Sequence, residues 1–469
     1  MAGLSWEPVI GLEIHVQLKT RTKMFCTCEV AYFATPNSHT CPVCLAHPGA
    51  LPVANAKAIE YTVKLGLALG CQIAPRALFH RKNYFYPDLP KGYQISQYDV
   101  PLCGKGAFTV PEPEGDRVVG ITRAHLEEDA AKNVHMGGAG GRISGADRTL
   151  VDFNRAGTPL VEIVTAPDLH SADHAKRFLQ LLRQTVVELG ISDAEMEKGS
   201  LRFDVNVSLR PEGSDELRTR TELKNMNSFN FAAKGIEREI LRQIQIYESG
   251  GQVEQETMHF DPGNESAPPL RSKEEAQDYR YLAEPDLVPL EPDRELVERL
   301  RAQLPDLPGE RIRRLADEVG FETAEGLVTS GRDRLFDQVA GDRREVANVL
   351  MNQFAATGVD PAAVNSEELA KLIEARDRIP RQAFTEALAA SGDEGFSAES
   401  YFGDGQITEA GDLEPLVDQI LAANPQQVES YRAGKEGLLG FFVGQVMKET
   451  EGRANPKLVS ELLREKLKS

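Results

Sequence analysis

Val9-Ile10-Gly11-Leu12-Glu13-Ile14-His15-Val16-Gln17-Leu18-Lys19 alternates with period two. In an extended chain Ile10, Leu12, Ile14, Val16 and Leu18 fall on one side, and Glu13, His15 and Gln17 on the other. The pattern predicts a strand with a buried apolar face and a face that sets an acid, an imidazole and an amide in a row. Four further stretches alternate in the same way. Over 122–129, Thr122, Ala124 and Leu126 oppose Arg123, His125, Glu127 and Asp129. Over 161–165, Val161, Ile163 and Thr165 oppose Glu162 and Val164. Over 201–210, Leu201, Phe203, Val205, Val207 and Leu209 oppose Arg202, Asp204, Asn206, Ser208 and Arg210. Over 218–224, Arg218, Arg220, Glu222 and Lys224 share a side.

Antiparallel sheets commonly leave one face to solvent, so a charged face alone is unremarkable. Solvated faces favour Lys, Thr and Glu. Recurrence of Asp, Asn, Glu, His and Arg on several strands better suits a platform for a metal and phosphates. Two helices should support the sheet. Asn55 can cap one that presents Ile59, Val63 and Leu67. Ser171 can cap another, with Phe178, Leu182, Val186 and Leu189 inward and Gly190 just past its end.

Beyond about Pro292 the period becomes helical. Residues 295–304, 310–319, 343–354 and 366–375 read as short amphipathic helices, and 413–469 as helical again. Residues 263–285 read as a loop, 391–412 as a linker or paired turn, and the Gly137–Gly141 cluster as a turn. The fold class is α+β: a sheet domain over 1–293, a helical domain over 294–405 and a small helical tail over 406–469. No fixed-period repeat is present.

The formal net charge of -19 argues against a general nucleic-acid binder, since phosphate contacts need Lys and Arg. From Arg432 onward the sign reverses locally, with eight Lys/Arg against five Asp/Glu. Solvated helix faces would account for that by themselves. The first residues show no basic, apolar leader pattern, and no run suits a membrane span, so a cytoplasmic location is expected.

Four of the six cysteines crowd together as Cys26-x-Cys28, twelve residues, then Cys41-x₂-Cys44. Disulfides are rare in the cytoplasm. Two close thiol pairs fit tetrahedral zinc, although one pair is tighter than usual and four unligated thiols are the alternative. Glu13-x-His15 and Glu127-Glu128-Asp129 suggest a second centre. Hard cations such as magnesium take a few carboxylates and complete their shell with water and phosphate oxygens. Glu13, His15 and Glu127 from two strands would supply such a site, and each motif alone is also compatible with a solvated surface. His80-Arg81-Lys82-Asn83-Tyr84-Phe85-Tyr86-Pro87-Asp88 interleaves bases with aromatics; it reads as an anion or base-stacking site, or as a loop packed on its own tyrosines. There is no Walker-A loop, no dinucleotide glycine fingerprint and no evident glutaminase nucleophile.

Several stretches, in order, resemble one family. They are 9–18; 81–86 with Pro90-Lys91-Gly92-Tyr93-Gln94; His125-Leu126-Glu127-Glu128-Asp129-Ala130; Asp152-Phe153-Asn154-Arg155-Ala156-Gly157-Thr158-Pro159-Leu160; 199–206; Glu222-Leu223-Lys224-Asn225; and Asp278-Tyr279-Arg280-Tyr281. Together they resemble the B subunits of tRNA-dependent amidotransferases. The resemblance implies a cradle domain with a glutamine-synthetase-like antiparallel sheet. It implies ATP-dependent phosphorylation of the side-chain carboxylate of Glu-tRNA(Gln) or Asp-tRNA(Asn), then amidation by ammonia. The partners it implies are a glutaminase A subunit, a small C subunit, the tRNA and an aminoacyl-tRNA synthetase. Carried onto this chain, Glu13, His15, Glu127 and Glu128 are catalytic residues, with magnesium on Glu13, His15 and Glu127. Strand alternation favours Glu127 over Glu128. Arg202, Asp204, Asn206 and Lys82 would bind the nucleotide, with Lys82 also near the ammonia path, and the tail would touch the tRNA body. Zinc on Cys26, Cys28, Cys41 and Cys44 would be structural, since some relatives replace these residues. A stand-alone ligase acting on a free amino acid and a non-catalytic RNA-binding scaffold are the alternatives. The helical appendage speaks against the first, and the carboxylate-rich face against the second.

Overall fold

The computed structural model describes residues 5–31, 33–137, 145–224, 226, 228–259, 269–272, 279–402, 410–432, 435–450, 454 and 456–468. Contacts divide the chain into Met1–Glu310 and Arg311–Ser469.

The first unit contains strands β1 Trp6–Gln17, β2 His80–Asn83, β3 Tyr93–Ser96, β4 Gly106–Val110, β5 Arg117–Glu128, β6 Lys132–Met136, β7 Arg148–Asp152, β8 Pro159–Thr165, β9 Leu201–Pro211, β10 Thr221–Lys224, β11 Glu256–His259, β12 Pro269–Ser272 and β13 Leu282–Ala283. Eight of them form one sheet in the order β12-β11-β10-β9-β1-β8-β5-β4. All neighbours are antiparallel except β10 and β11, which run parallel. The expected antiparallel sheet is therefore mixed at that one pair.

The apolar face of β1 is fully buried at Ile10, Ile14 and Val16, and that of β9 at Val205 and Val207. Helices α1 Ala56–Ala68, α2 Ala172–Glu188, α3 Phe229–Glu248 and α4 Arg294–Ala302 complete the unit. Helices α2 and α3 pack on each other, α3 lies on β9, and α4 packs on α1. Asn55 caps α1 by accepting the Lys57 and Ala58 N–H groups at 2.9 and 3.3 Å. Ser171 caps α2 by accepting the His174 N–H at 3.1 Å, and Gly190, at φ +69°, follows that helix as expected. Phe108 of β4 meets Phe178 of α2 edge to face at 5.7 Å.

Two expectations are corrected. A register irregularity between Ile121 and Arg123 shifts the parity of β5. Ile121, Ala124 and Leu126 are buried, and Thr122, expected on the apolar side, is exposed. The stretch 263–285, read as a loop, contributes β12 to the main sheet and β13 to a small sheet ordered β13-β2-β3. Its Pro-rich composition hid short edge strands. Residues 138–141 of the glycine cluster, and Asn225 and Asp278 of the quoted motifs, lie outside the described residues.

In the second unit the expected helices are present, as Pro308–Val319 (which begins in the first unit), Arg343–Asn352 and Ser366–Glu374. Phe321–Thr329, Asp333–Gln338 and Arg381–Ala390 are additional. A buried ion pair, Arg311 Nε to Asp333 Oδ2 at 2.5 Å, ties two of them. Helices Ala410–Ala423, Pro425–Arg432, Leu439–Glu449 and Pro456–Lys468 surround a core of Leu413, Val417, Phe442, Val446, Val459 and Leu463. The glycine-interrupted run near Gly440 is thus mostly helix, and Phe442 is fully buried in that core.

Candidate functional site

Strand register gathers the polar residues. His15 on β1 stands opposite Glu162 on β8 and Arg202 on β9, and Glu162 stands opposite His125 on β5. His15 Nε2 lies 3.4 Å from Glu127 Oε1 and 3.5 Å from Glu162 Oε2. His125 Nε2 is 3.5 Å from the same Glu162 oxygen. Among the described residues His15, Glu127 and Glu162 form a group whose ligand atoms all lie within 4.8 Å of one another.

The field there is strongly negative. Burial disfavours the charged imidazole of His15, yet its hydrogen bond to Glu162 and the charge of Glu127 raise its pKa to about 9. Burial pushes Glu127 up, against the pull of His15. Glu162 is held low against its burial by His125 and His15. His125, fully enclosed, is lowered to about 4, mainly by burial and against the pull of Glu162. Burial also disfavours the Lys82 ammonium, but Glu127, Tyr281 and Glu162 raise its pKa. Its Nζ lies 4.9 Å from the Tyr279 ring centre.

Glu162 therefore joins His15 and Glu127 where Glu13 was expected. Glu13 faces Val164 across β1 and β8, two residues along from His15, a displacement of roughly 6.6 Å along a strand. Its carboxylate accepts Asn206 Nδ2 at 3.1 Å. Alternation put Glu162 on the polar side, but flanked by apolar residues it carries no motif, and register is not legible in one strand alone. Glu13, Lys82, Gln97, Arg123, His125, Glu162 and Asn206 line an adjoining cleft of about 300 Å³. Asp204 on the same face binds Lys224 at 2.9 Å.

Glu127 and Glu128 part company, as consecutive strand residues must. Buried Glu128 pairs with Lys91 and accepts the Ile95 N–H at 3.0 Å. It lines a different cavity, about 430 Å³, together with Cys26, Cys44, Lys91 and Tyr93. Asp129 returns to the side of Glu127. It accepts Gln17 Nε2 at 2.9 Å and Arg202 Nη2 at 3.2 Å.

Sulfurs of Cys26, Cys28, Cys41 and Cys44 also lie within 4.8 Å of one another, and those of Cys41 and Cys44 are 3.9 Å apart. The Cys44 thiol is lowered to about 4, chiefly by its hydrogen bond from Cys26, with the Cys41 backbone and Lys23 contributing. Cys28 is raised to about 11, mainly by burial. Four sulfurs competing for protons at this spacing suit a soft cation. Fully buried Lys23 braces the loop, donating to the carbonyls of His39 at 2.9 Å and Phe153 at 3.0 Å.

Residues 8–298 match the family model described as GatB/GatE catalytic domain, and 334–467 match the GatB domain. The chain is 48% identical to the aspartyl/glutamyl-tRNA(Asn/Gln) amidotransferase B subunit of Moorella thermoacetica, over 99% of this chain and 100% of that one. It is 46% identical to the protein of the same name from Syntrophotalea carbinolica, over 98% of each. With the one from Carboxydothermus hydrogenoformans it shares 45%, over 98% of this chain and 99% of that one. Full-length identity at this level, across the sheet unit and the tail alike, places the chain in the family of aspartyl/glutamyl-tRNA(Asn/Gln) amidotransferase B subunits.

Proposed function

We propose that this chain activates and amidates the side-chain carboxylate of Glu-tRNA(Gln) or Asp-tRNA(Asn), as the ATP-dependent member of a tRNA-dependent amidotransferase. The observation that carries the reading is the group of half-buried His15 with buried Glu127 and Glu162, the last of which also lines a polar cleft. Two carboxylates and an imidazole, with burial opposing the charge of Glu127, fit a divalent cation such as magnesium. A cation bound there would neutralise charge on the phosphoryl group in transfer.

The chain's own residues do the rest. Lys82 and Arg202 stand beside the group as cations for phosphate oxygens; Asp129 steadies the Arg202 guanidinium at 3.2 Å. Glu13, Asp204 and Asn206 line the nucleotide side of the same face. The carboxylate oxygen bonds to the γ-phosphorus as the bond to ADP breaks. Ammonia then adds to the acyl carbon, and inorganic phosphate leaves. No glutaminase nucleophile is evident in the chain, so ammonia comes from a partner, the glutaminase A subunit, with a small C subunit joining the two. A synthetase that mischarges the tRNA is a further partner.

Glu128 belongs to the neighbouring cavity. Zinc held by Cys26, Cys28, Cys41 and Cys44 would fix the loop before α1. The sheet domain over 1–293 and the helical domain over 294–405 precede a tail over 406–469, and the tail's separate core supports the last division. Among the described residues no helix is long and apolar enough to cross a membrane, which accords with work on tRNA in the cytoplasm. The glutamine-synthetase likeness of the sheet is part of this proposal. ATP hydrolysis by the purified complex should require mischarged tRNA, whereas hydrolysis that also responds to free glutamate would favour a stand-alone ligase.

A further inference from the structure

Two buried donors of cleft residues, Gln97 Nε2 and Arg123 Nε, stand without a hydrogen-bond partner among the described residues. Native folds rarely leave such groups unpaired, so a pair of them on one cleft points to a ligand that accepts. Orientation of the Gln97 amide is fixed by its surroundings. Its Oε1 accepts the backbone N–H groups of Leu102 and Leu126, each at 3.1 Å. The oxygen is thereby committed to the protein, and the amide nitrogen is left over. Gln97 is 2% exposed, so solvent does not satisfy it either. Arg123 sits on β5 two residues before His125, and both line the cleft with Gln97, Lys82 and Glu162.

The missing ligand atoms are acceptors, and the guanidinium and Lys82 make an anion the natural choice. A carboxylate and a phosphate both qualify. Glu162 decides between them, because it belongs at once to the group with His15 and Glu127 and to the cleft wall. A cation held by that group would draw the phosphates to it. The Gln97–Arg123 pair, on the cleft wall outside that group, is placed to hold the acceptor of the phosphoryl. Resting on the function proposed above, we infer that Gln97 and Arg123 bind the side-chain carboxylate of the aminoacyl group and present one oxygen to the γ-phosphorus.

The test compares binding of Glu-tRNA(Gln) and uncharged tRNA(Gln) to the purified amidotransferase complex, since only the first carries the carboxylate. Gln97→Glu keeps Oε1 for its two backbone donors and turns the free amide into an acceptor. Arg123→Met removes the guanidinium and keeps the length. Each variant should lower the preference for charged over uncharged tRNA by roughly tenfold, the usual worth of a hydrogen bond to a charged group. Affinity for uncharged tRNA and for ATP should stay unchanged, and Arg123→Lys should restore part of the preference. An unchanged preference would overturn the inference. So would an equal fall for both tRNAs, which would mark a structural role, or a loss confined to ATP, which would make the pair a phosphate site. A wild-type complex with no amidation dependent on mischarged tRNA would instead remove the functional reading beneath it.

Discussion

His15 and Glu162 owe their meeting to register, which sets them opposite each other, and Glu127 joins them from β5, two residues along from the His125 that faces Glu162. Two of the three were legible in sequence, since Glu-x-His and the acidic triplet are short-range patterns. Glu162 was not, because its significance lies in which residue stands opposite. The same reasoning separates Glu127 from Glu128, which alternation favoured and the structure accounts for. Glu127→Gln and Glu162→Gln should each lower amidation on the order of a hundredfold or more, as loss of a charge-stabilising group does, and should weaken manganese binding measured by paramagnetic resonance. Glu13→Gln should keep the ion, because Glu13 lies outside the group; equal loss of the ion in all three would refute that assignment. The cysteines offer a contrast. Burial pushes Cys71 up to about 12 and Cys103 well above its ordinary value, so neither forms a thiolate near neutrality. At pH 8, iodoacetamide should label Cys44 after metal stripping and leave Cys71 and Cys103 unmodified by mass spectrometry.

Strands with strict alternation, such as β1 and β9, were readable because their two faces meet different surroundings. The bulge in β5 and the edge strands β12 and β13 were not, since a bulge changes parity without changing composition and short edge strands resemble loops. The cysteine loop is an element without regular structure, held by Lys23 through its bonds to backbone carbonyls and carrying four thiols close enough to share a cation. Purified protein should carry about one zinc per chain, the number four thiolates hold. Cys41→Ser with Cys44→Ser should abolish it and speed hydrogen exchange over 21–52 while β1 and β9 stay protected. Exchange unchanged in the zinc-free variant would show that the loop needs no metal. Among the helices of the second unit, Asp333→Ala leaves the buried Arg311 guanidinium without its closest carboxylate. A loss of about 3–5 kcal/mol in urea unfolding is expected, and a loss below about 1 kcal/mol would mean that solvent reaches the pair as it does a surface ion pair.

On the scale of the whole chain, an acidic protein that handles tRNA must confine its phosphate contacts. Arg432, Lys435, Lys448, Arg453 and Lys457 concentrate positive charge in the tail, and Gly437, Gly440 and Gly444 leave open space where a Cβ would stand. Deletion of 406–469 should weaken tRNA binding and flatten its dependence on salt, because fewer counterions are released. Glutamine hydrolysis by the partner should survive. Unchanged affinity and slope would make the tail a structural cap. Charge sign was visible in sequence; that Phe442 turns into a closed core, not onto a surface, required the packing. Phosphorylation of a carboxylate carried by tRNA is the step proposed for the sheet face. Its most direct measurement is transfer of ¹⁸O from carboxylate-labelled Glu-tRNA(Gln) into inorganic phosphate during turnover by the complex. An acyl phosphate intermediate requires one labelled oxygen in the phosphate released. Phosphate without label, formed while glutamine appears on the tRNA, would contradict it.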